Sequence, residues 1–208
     1  MVVRMSVRVG LGTSSDRDVV RAARGAAGDA QAALAGRAAD LALVFVAGIA
    51  PDDAPAVLEA VHDELGPRAV AGSAALAVLG DGRQIPGDPA IAVWAAHLDG
   101  GAAQVEHVTR DAALPDLRDA SAVVVLPDAY SFPIRRRLPE IGRVASGTPV
   151  VGGCASARLD DGRTVLFADG VQSGGMSLVA LRDVEVIPIV AQGQVPVGRE
   201  LVVSDGPT

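Results

Sequence analysis

The chain has 208 residues, 50% of them hydrophobic and 21% charged, and its 18 basic and 25 acidic residues give a net charge of −7. A chain of this length and composition buries a large core, and no apolar run reaches the roughly 20 residues that cross a bilayer. Disorder and a membrane span are therefore excluded. The acidic balance argues against a nucleic-acid or membrane partner. A single Cys excludes a disulfide scaffold, and Met1–Arg8 does not read as a secretory signal, so we expect a cytoplasmic protein.

The first predicted elements are a strand at Val7–Leu11 and a helix from about Val19 to Gly36. Apolar residues recur along the helix at three- and four-residue spacing, and Ser15 or Asp16 is placed to cap it. Gly10 and Gly12 resemble the start of a dinucleotide motif, but Ser15 stands where the third glycine would be. We therefore predict a tight turn here and no nucleotide site.

A β-α-β unit follows. Leu41–Ala47 is an apolar run typical of a strand buried on both faces, and a helix is predicted from Pro51 to Leu65. The next strand, Val70–Ala71, is predicted to end in a loop at Gly72-Ser73-Ala74-Ala75. Two further strands, Ile91–Leu98 and Gln104–Thr109, meet at Asp99-Gly100-Gly101, which predicts a hairpin.

The second half repeats this order of elements. The predicted elements are a strand at Ala122–Leu126, a helix at Tyr130–Val144, and strands at Thr148–Val151, Met176–Leu181 and Val184–Ala191. The third of these segments ends at Gly152-Gly153-Cys154, and the last two strands meet at Arg182-Asp183. Pro139 is expected to kink the helix.

The two halves share a sequence register. Leu79-Gly80-Asp81-Gly82-Arg83 and Leu159-Asp160-Asp161-Gly162-Arg163 match at four of five positions with an offset of 80, since 159 minus 79 is 80. We therefore predict a mixed α/β (α+β) fold of duplicated β-α-β-β-β units whose mixed sheets are covered by helices. The expected divisions are an N-terminal strand and helix in 1–40, a first half in 41–119 and a second half in 120–208, all within one domain.

The matching glycines are the first candidate site. Gly72-Ser73 and Gly152-Gly153-Cys154 are predicted to bring bare backbone N–H groups to the ends of strands, where a ligand can approach the main chain closely. Turns or tight packing explain the same glycines equally well. If the two halves face each other, the two loops line one shared cavity.

The sequence supports catalysis and metal binding less strongly than ligand binding. Cys154 is a candidate nucleophile, but His62, His97 and His107 all lie in the first half, with no spacing that ties them to it. A buried, inert cysteine is the favoured interpretation. No ligand pair has metal-binding spacing, and we expect no cofactor.

Polar residues elsewhere complete the candidate ligand site. Asp128 and Ser131 follow a predicted strand, where one caps the helix and the other, with the hydroxyl of Tyr130, is placed to hold an amine. Gln192 and Arg199 lie in a segment rich in turn formers, and Arg199 suits a carboxylate. Arg135-Arg136-Arg137 is interpreted as a solvated helix face, with an acidic partner as the alternative.

These motifs together resemble the N-terminal part of the FIST domain from about Val7 to Val203. The resemblance rests on the order and spacing of several segments: Asp40–Val46 and Val70–Ala75 in the first half, and Leu126-Pro127-Asp128 with Ser131, Pro149–Ala155, Gly170-Val171, Gly174–Leu181 and Gln192-Gly193-x-x-Pro196-x-Gly198 in the second. Family members usually continue into a C-terminal FIST part, whereas this sequence ends at Thr208. A pocket shared with that part would be incomplete here.

The resemblance implies a sensory module of a signal-transduction protein that binds a small ligand such as an amino acid and acts with a signalling partner protein. The leading hypothesis is therefore a non-catalytic small-molecule sensor. One alternative is a hydrolase or transferase that uses Cys154 or Ser73 as its nucleophile. The other is a structural or scaffold subunit that binds no ligand.

Overall fold

The computed structural model describes residues 7–157 and 164–190. This part of the chain forms three α-helices and twelve strands in a mixed α+β fold. The helices are α1 (Val19–Ala33), α2 (Ala54–Leu65) and α3 (Ile134–Val144). The strands are β1 (Arg8–Ser14), β2 (Leu41–Ala47), β3 (Val70–Ala74), β4 (Leu79–Gly80), β5 (Arg83–Gln84), β6 (Ala90–His97), β7 (Ala102–Val108), β8 (Ala122–Pro127), β9 (Val150–Gly152), β10 (Val165–Ala168), β11 (Val171–Ser173) and β12 (Met176–Arg182).

Two mixed sheets carry the fold. A six-stranded sheet has the order β1-β6-β2-β3-β10-β11, and a four-stranded sheet has the order β7-β12-β8-β9. In each sheet one neighbouring pair is parallel, β2 with β3 and β8 with β9, and the other pairs are antiparallel. The short β4 and β5 pair only with each other.

The parallel pairs repeat one hydrogen-bond register. The Ala42 N–H donates to the Ala69 carbonyl and the Val123 N–H to the Pro149 carbonyl, both at 2.9 Å. At the other end, the Ala75 N–H donates to Val46 and the Ala155 N–H to Pro127. The offset is 81 in the first strand of each pair (123 minus 42) and 80 in the second (155 minus 75). Both halves therefore contain the same β-α-β core unit.

Glycine allows the parallel strands to approach each other at equivalent places. Gly72 lies opposite Val44 and Gly152 opposite Val125. A Cβ atom at either glycine would lie 1.9 Å from the carbonyl oxygen of that valine. Any side chain here would collide with the neighbouring backbone, so packing alone requires both glycines.

The elements stack in four layers. Helices α1 and α2 cover one face of the six-stranded sheet, where small buried residues such as Ala26 and Ala30 allow close contact. The other face packs on the four-stranded sheet through residues including Leu41, Ala71 and Val179. Helix α3 covers the outer face of the four-stranded sheet, with Ile141 buried in it.

The predicted hairpin between Ile91–Leu98 and Gln104–Thr109 is wrong. Both segments are strands, but β6 pairs with β1 and β2 while β7 pairs with β12 in the other sheet. The turn at Asp99-Gly100-Gly101 therefore connects the six-stranded sheet to the four-stranded sheet. Both edges of β6 are already paired, so a hairpin with β7 has no free edge.

The same reason corrects the predicted strand at Val184–Ala191. Residues 184–190 form no strand, and Ala191 lies outside the described residues. Strand β12 is paired on both sides, with β7 and with β8, and cannot accept a further partner after Arg182.

The predicted turn at Gly10–Gly12 is also wrong. Both glycines lie within β1, and a Cβ at Gly10 or Gly12 would lie about 2 Å from the carbonyl oxygen of Ala30 or Ala26 in α1. They permit helix α1 to pack directly on β1. The residue that caps α1 is Asp18, not Ser15 or Asp16, and its carboxylate accepts the Arg21 N–H at 3.0 Å.

Candidate functional site

The two predicted glycine loops have different environments. Gly72 and Ser73 lie inside β3, between β2 and β10, and both are buried. The expected loop at this position is therefore wrong: β3 continues to Ala74 because β10 pairs with its outer edge. Ser73 lies on the same side of β3 as Ala71, which packs between the two sheets.

The second glycine segment is open. Strand β9 forms the edge of the four-stranded sheet, and Val151, Gly152, Gly153 and Cys154 are all exposed. Gly153, unlike Gly152, has free space around the position of a Cβ atom. The segment thus offers backbone to solvent, as expected of a site that a ligand approaches through the main chain.

A pocket lies between this segment and α3. Its volume is about 220 Å³, and we call it the α3–β9 pocket. Its lining comprises the apolar residues Val125, Pro127, Ile134, Leu138, Val150 and Val151 and the segment Gly152-Gly153-Cys154. Apolar walls and a few backbone polar groups are the usual composition of a small-molecule site.

Pro127 removes one backbone donor from the β8–β9 ladder beside this pocket. The ladder between β8 and β9 continues as the Gly153 N–H donates to Val125 and the Ala155 N–H to Pro127. The next bond in this alternation would run from the N–H of residue 127 to the Gly153 carbonyl, but proline has no N–H. The Gly153 carbonyl is therefore left without that donor, at the pocket's edge.

Asp128 organises the turn that follows β8. Its side chain is buried, with one carboxylate oxygen accepting the Tyr130 N–H at 2.9 Å and the other accepting the Ser131 hydroxyl at 2.6 Å. This is the turn in which an aspartate binds its own backbone two residues on. Because both oxygens are engaged, the structure gives Asp128 a role in shaping the turn.

Ser131 connects this turn to the rest of the sheet. Its hydroxyl oxygen accepts the Gly175 N–H at 2.9 Å, and the His107 Nε2 lies 2.8 Å from the Gly174 carbonyl. A carbonyl only accepts, so Nε2 carries the hydrogen and donates it. Gly174 and Gly175 have φ of +73° and +84°, which glycine adopts readily. The contact with His107 was not predicted, because it joins residues 67 positions apart.

The remaining predicted site residues are only partly placed. Tyr130 is half exposed at the tip of the turn. Gln192 and Arg199 lie outside the described residues. The structure therefore brings Gly152, Gly153 and Cys154 to one pocket, places Asp128, Tyr130 and Ser131 in the turn after Pro127, and separates Gly72 and Ser73 from both.

Cys154 is exposed, which corrects the expectation of a buried thiol. Within residues 7–157 and 164–190 its sulfur makes no hydrogen bond. The three histidines serve elsewhere: His62 lies in α2, His97 lies 3.2 Å from Asp40, and His107 binds Gly174. No group of three potential metal ligands occurs among the described residues.

Of the helices in the described ranges, none combines the length and apolar character of a membrane span.

Two comparisons with known proteins give matches to this chain. The model of the FIST N domain matches residues 40–206. An uncharacterized protein of Mycobacterium tuberculosis strain CDC 1551 is 33% identical over 211 residues, which cover 95% of this chain and 54% of that protein. An uncharacterized protein of Mycobacterium bovis is also 33% identical, over 95% of this chain and 53% of its own length. The chain spans about half the length of these curated relatives.

Proposed function

Because the chain belongs to the FIST N domain family, a sensory family of signal-transduction proteins, we propose that it binds a small molecule at the α3–β9 pocket and is not an enzyme. The observation that carries this proposal is the pocket itself. It lies at the carboxyl ends of the parallel strands β8 and β9, where ligands of α/β sheets commonly bind.

The chemistry of the pocket favours a small ligand with one apolar and one polar end, as in an amino acid. Ile134 and Leu138 supply the apolar wall, and the Gly153 carbonyl is an acceptor for an amine. We propose that the ligand carboxylate binds the exposed backbone at Cys154. Gln192 and Arg199, which the sequence suggests for the same role, lie outside the described residues and stay predictions. Asp128 and Ser131 support this site by holding the turn beside it.

The first half contributes differently from our expectation. The expected cavity between the Gly72-Ser73 and Gly152-Gly153-Cys154 loops requires the two halves to form separate modules that face each other. Instead, β7 of the first half completes the four-stranded sheet, and β10 and β11 of the second half complete the six-stranded one. With Gly72 and Ser73 buried in β3, the proposed ligand site belongs to the second half alone.

Helix α3 is the element through which occupancy is passed on. It buries only Ile141 along its length. A ligand that contacts Leu138 on one side and Cys154 on the other would hold α3 against β9. Ligand binding would shift the equilibrium between positions of α3 toward the one held against β9, and the signalling partner would recognise that position.

Cys154 provides the test, because it is the only cysteine in the sequence and lines the pocket. We expect iodoacetamide to alkylate it in the free protein. Free amino acids and small metabolites are then screened for slower alkylation and for a rise in the melting temperature. A ligand of the pocket slows alkylation in proportion to its occupancy.

A matched pair of variants locates the ligand. Leu138→Trp fills the pocket and should abolish protection of Cys154, whereas Leu79→Trp changes an exposed leucine far along the chain and should preserve it. If no compound protects Cys154 or shifts the melting temperature, small-molecule binding at this pocket is refuted. Protection that persists in Leu138→Trp places the ligand elsewhere.

The alternatives from the sequence stay predictions. A Cys154 nucleophile needs a base, and the described part of the chain gives its sulfur no hydrogen-bonded partner. Ser73 is 4% exposed, which denies it direct access to substrate. A scaffold subunit and a cytoplasmic location likewise await measurement.

A further inference from the structure

A second cavity lies on the other side of α3. It has a volume of about 540 Å³ and is formed by α3 and the segment that follows β7. We call it the arginine cleft, after its charged residues Arg110, Asp111, Arg136, Arg137, Glu140 and Arg143. The sequence pattern favours a solvated helix face here, with an acidic partner as the alternative.

The cleft concentrates positive charge in an acidic protein. Four arginines face two carboxylates, and Glu140 is paired with Arg137 at 3.0 Å. Asp111 is then the one carboxylate in the cleft lining left to balance the charges of Arg110, Arg136 and Arg143. Within residues 7–157 and 164–190 none of these three arginines forms an ion pair, although the chain carries a net charge of −7. Three guanidinium groups that line one space attract an anion between them, because each contributes positive charge and N–H donors.

Side-chain contacts hold the cleft in shape. Arg137 is only 13% exposed, donates from Nη2 to the Ala112 carbonyl at 2.6 Å, and lies over the Phe132 ring at 5.9 Å. It thereby fixes the segment after Arg110 against α3. Arg110 itself donates from Nε and Nη2 to the Ser131 carbonyl, at 3.3 and 3.2 Å. The cleft walls are therefore set before any ligand arrives.

One buried donor lacks an acceptor. The Nε of Arg137 is inaccessible and has no hydrogen-bond partner among the described residues. An unsatisfied buried donor of a charged group is unfavourable. Because this atom is inaccessible, ligand contacts in the cleft come from the exposed arginines and not from the Nε of Arg137.

We propose that the arginine cleft binds the phosphate group of a phosphorylated small molecule. Guanidinium groups bind phosphate oxygens through paired N–H donors, and phosphate supplies more charge and more acceptor oxygens than a single carboxylate. The exposed Arg136 and Arg143, about two turns apart by the helical repeat, provide donors from α3. Arg110 provides the opposite wall.

This site is separate from the α3–β9 pocket. Ile134 and Leu138 line that pocket, whereas Arg136 and Arg143 lie on the opposite face of the same helix. Failure of either proposal leaves the other standing, because one is measured by Cys154 alkylation and the other by phosphate binding.

The test uses pyrophosphate as the probe, with citrate as a carboxylate of comparable charge. Calorimetric titration of the whole chain in a low-salt, phosphate-free buffer should show pyrophosphate binding more tightly than citrate. Arg136→Gln and Arg143→Gln should each weaken pyrophosphate binding about tenfold, the effect of removing one charge-assisted hydrogen bond.

Arg135→Gln is the matched control. Arg135 is the neighbour of Arg136 on α3, does not line the cleft, and loses the same charge on substitution. It should change the affinity about twofold or less, since exposed charges at a distance are screened. Equal weakening by Arg135→Gln and Arg136→Gln would show non-specific charge attraction and overturn the proposal. Absence of pyrophosphate binding, or tighter citrate binding, would overturn it as well.

Discussion

Two neighbouring glycines have different roles: one is required by strand packing, and the other exposes backbone that a ligand can bind. Gly152 and Gly153 are neighbours, yet a Cβ at Gly152 collides with the Val125 carbonyl and a Cβ at Gly153 meets nothing within 4 Å. Sequence reasoning treated them as one candidate site. The structure divides them into a residue required by the close approach of β8 and β9 and a residue whose backbone faces a pocket.

The first prediction follows from this difference. Gly152→Ala should lower the free energy of unfolding by about 1–3 kcal/mol, because the added methyl group forces the strands apart. Gly153→Ala should leave it nearly unchanged. Urea denaturation of both variants measures the effect, and equal stability of the two would contradict the close approach described for Gly152.

Ser131 gives a second prediction. Its hydroxyl group donates to Asp128 and accepts from Gly175, so Ser131→Ala removes two hydrogen bonds and leaves Asp128 Oδ2 buried without that donor. We expect a loss of about 1–3 kcal/mol. Ser173→Ala, at an exposed serine of β11, is the control and should be neutral. If both substitutions are neutral, the turn does not depend on this network.

Among the elements, α1 is stabilised at its first turn by charge as well as by its alanine face. Asp18 caps the helix, and Asp16 accepts the Asp18 N–H at 2.8 Å and binds the Arg21 guanidinium with both carboxylate oxygens. The hydrogen bond from Arg21, followed by that from the Asp18 backbone, lowers the pKa of Asp16 below its ordinary value of 3.8. Arg21 thus supports the helix start through an exposed pair.

The third prediction concerns the pH dependence of this pair. A carboxyl group whose folded pKa is lowered stabilises the fold above its unfolded pKa, and the contribution disappears as the pH falls through the lower folded pKa. The Asp16 contribution should therefore be constant at neutral pH and be lost below about pH 4. Titration by NMR should show Arg21→Gln raising the Asp16 pKa, whereas Arg17→Gln should leave it lower than normal. A pKa unchanged by Arg21→Gln would refute the pairing.

In the whole molecule, the two sheets depend on each other. Strand β7 passes to the four-stranded sheet and strands β10 and β11 return to the six-stranded one, and the interface between the sheets contains Leu41, Ala71 and Val179. Neither sheet can be completed by a contiguous half of the chain. The division at residues 119 and 120 therefore describes the sequence repeat and stays a prediction as a structural boundary.

The fourth prediction is that the sheets unfold together. Trp94, the only tryptophan, lies in β6 and packs in the interface between the two sheets, so its fluorescence reports on the contact between them, whereas circular dichroism reports on the strands of both sheets. The two unfolding curves should coincide. Val179→Ala, in the four-stranded sheet, should lower the free energy of unfolding by about 2 kcal/mol as measured by either signal. A shift in only one signal would show that the sheets separate in one step and lose their strands in another, and would contradict the prediction.

What could be predicted from the sequence alone was local. The strand at Leu41–Ala47 and the helix that ends at Leu65 are present as expected, because strand and helix periodicity is set by neighbouring residues. Gly72, by contrast, lies within β3 and not in the expected loop. The partner of each strand could not be predicted from neighbouring residues. Any strand offers the same backbone donors and acceptors, so the partner of β7 depends on which edges remain free after the other strands have paired. Tertiary structure therefore decided that Gly72 is buried between β2 and β10 while Gly152 lies in the edge strand β9. It also placed α3 between a small apolar pocket and a cleft of arginines.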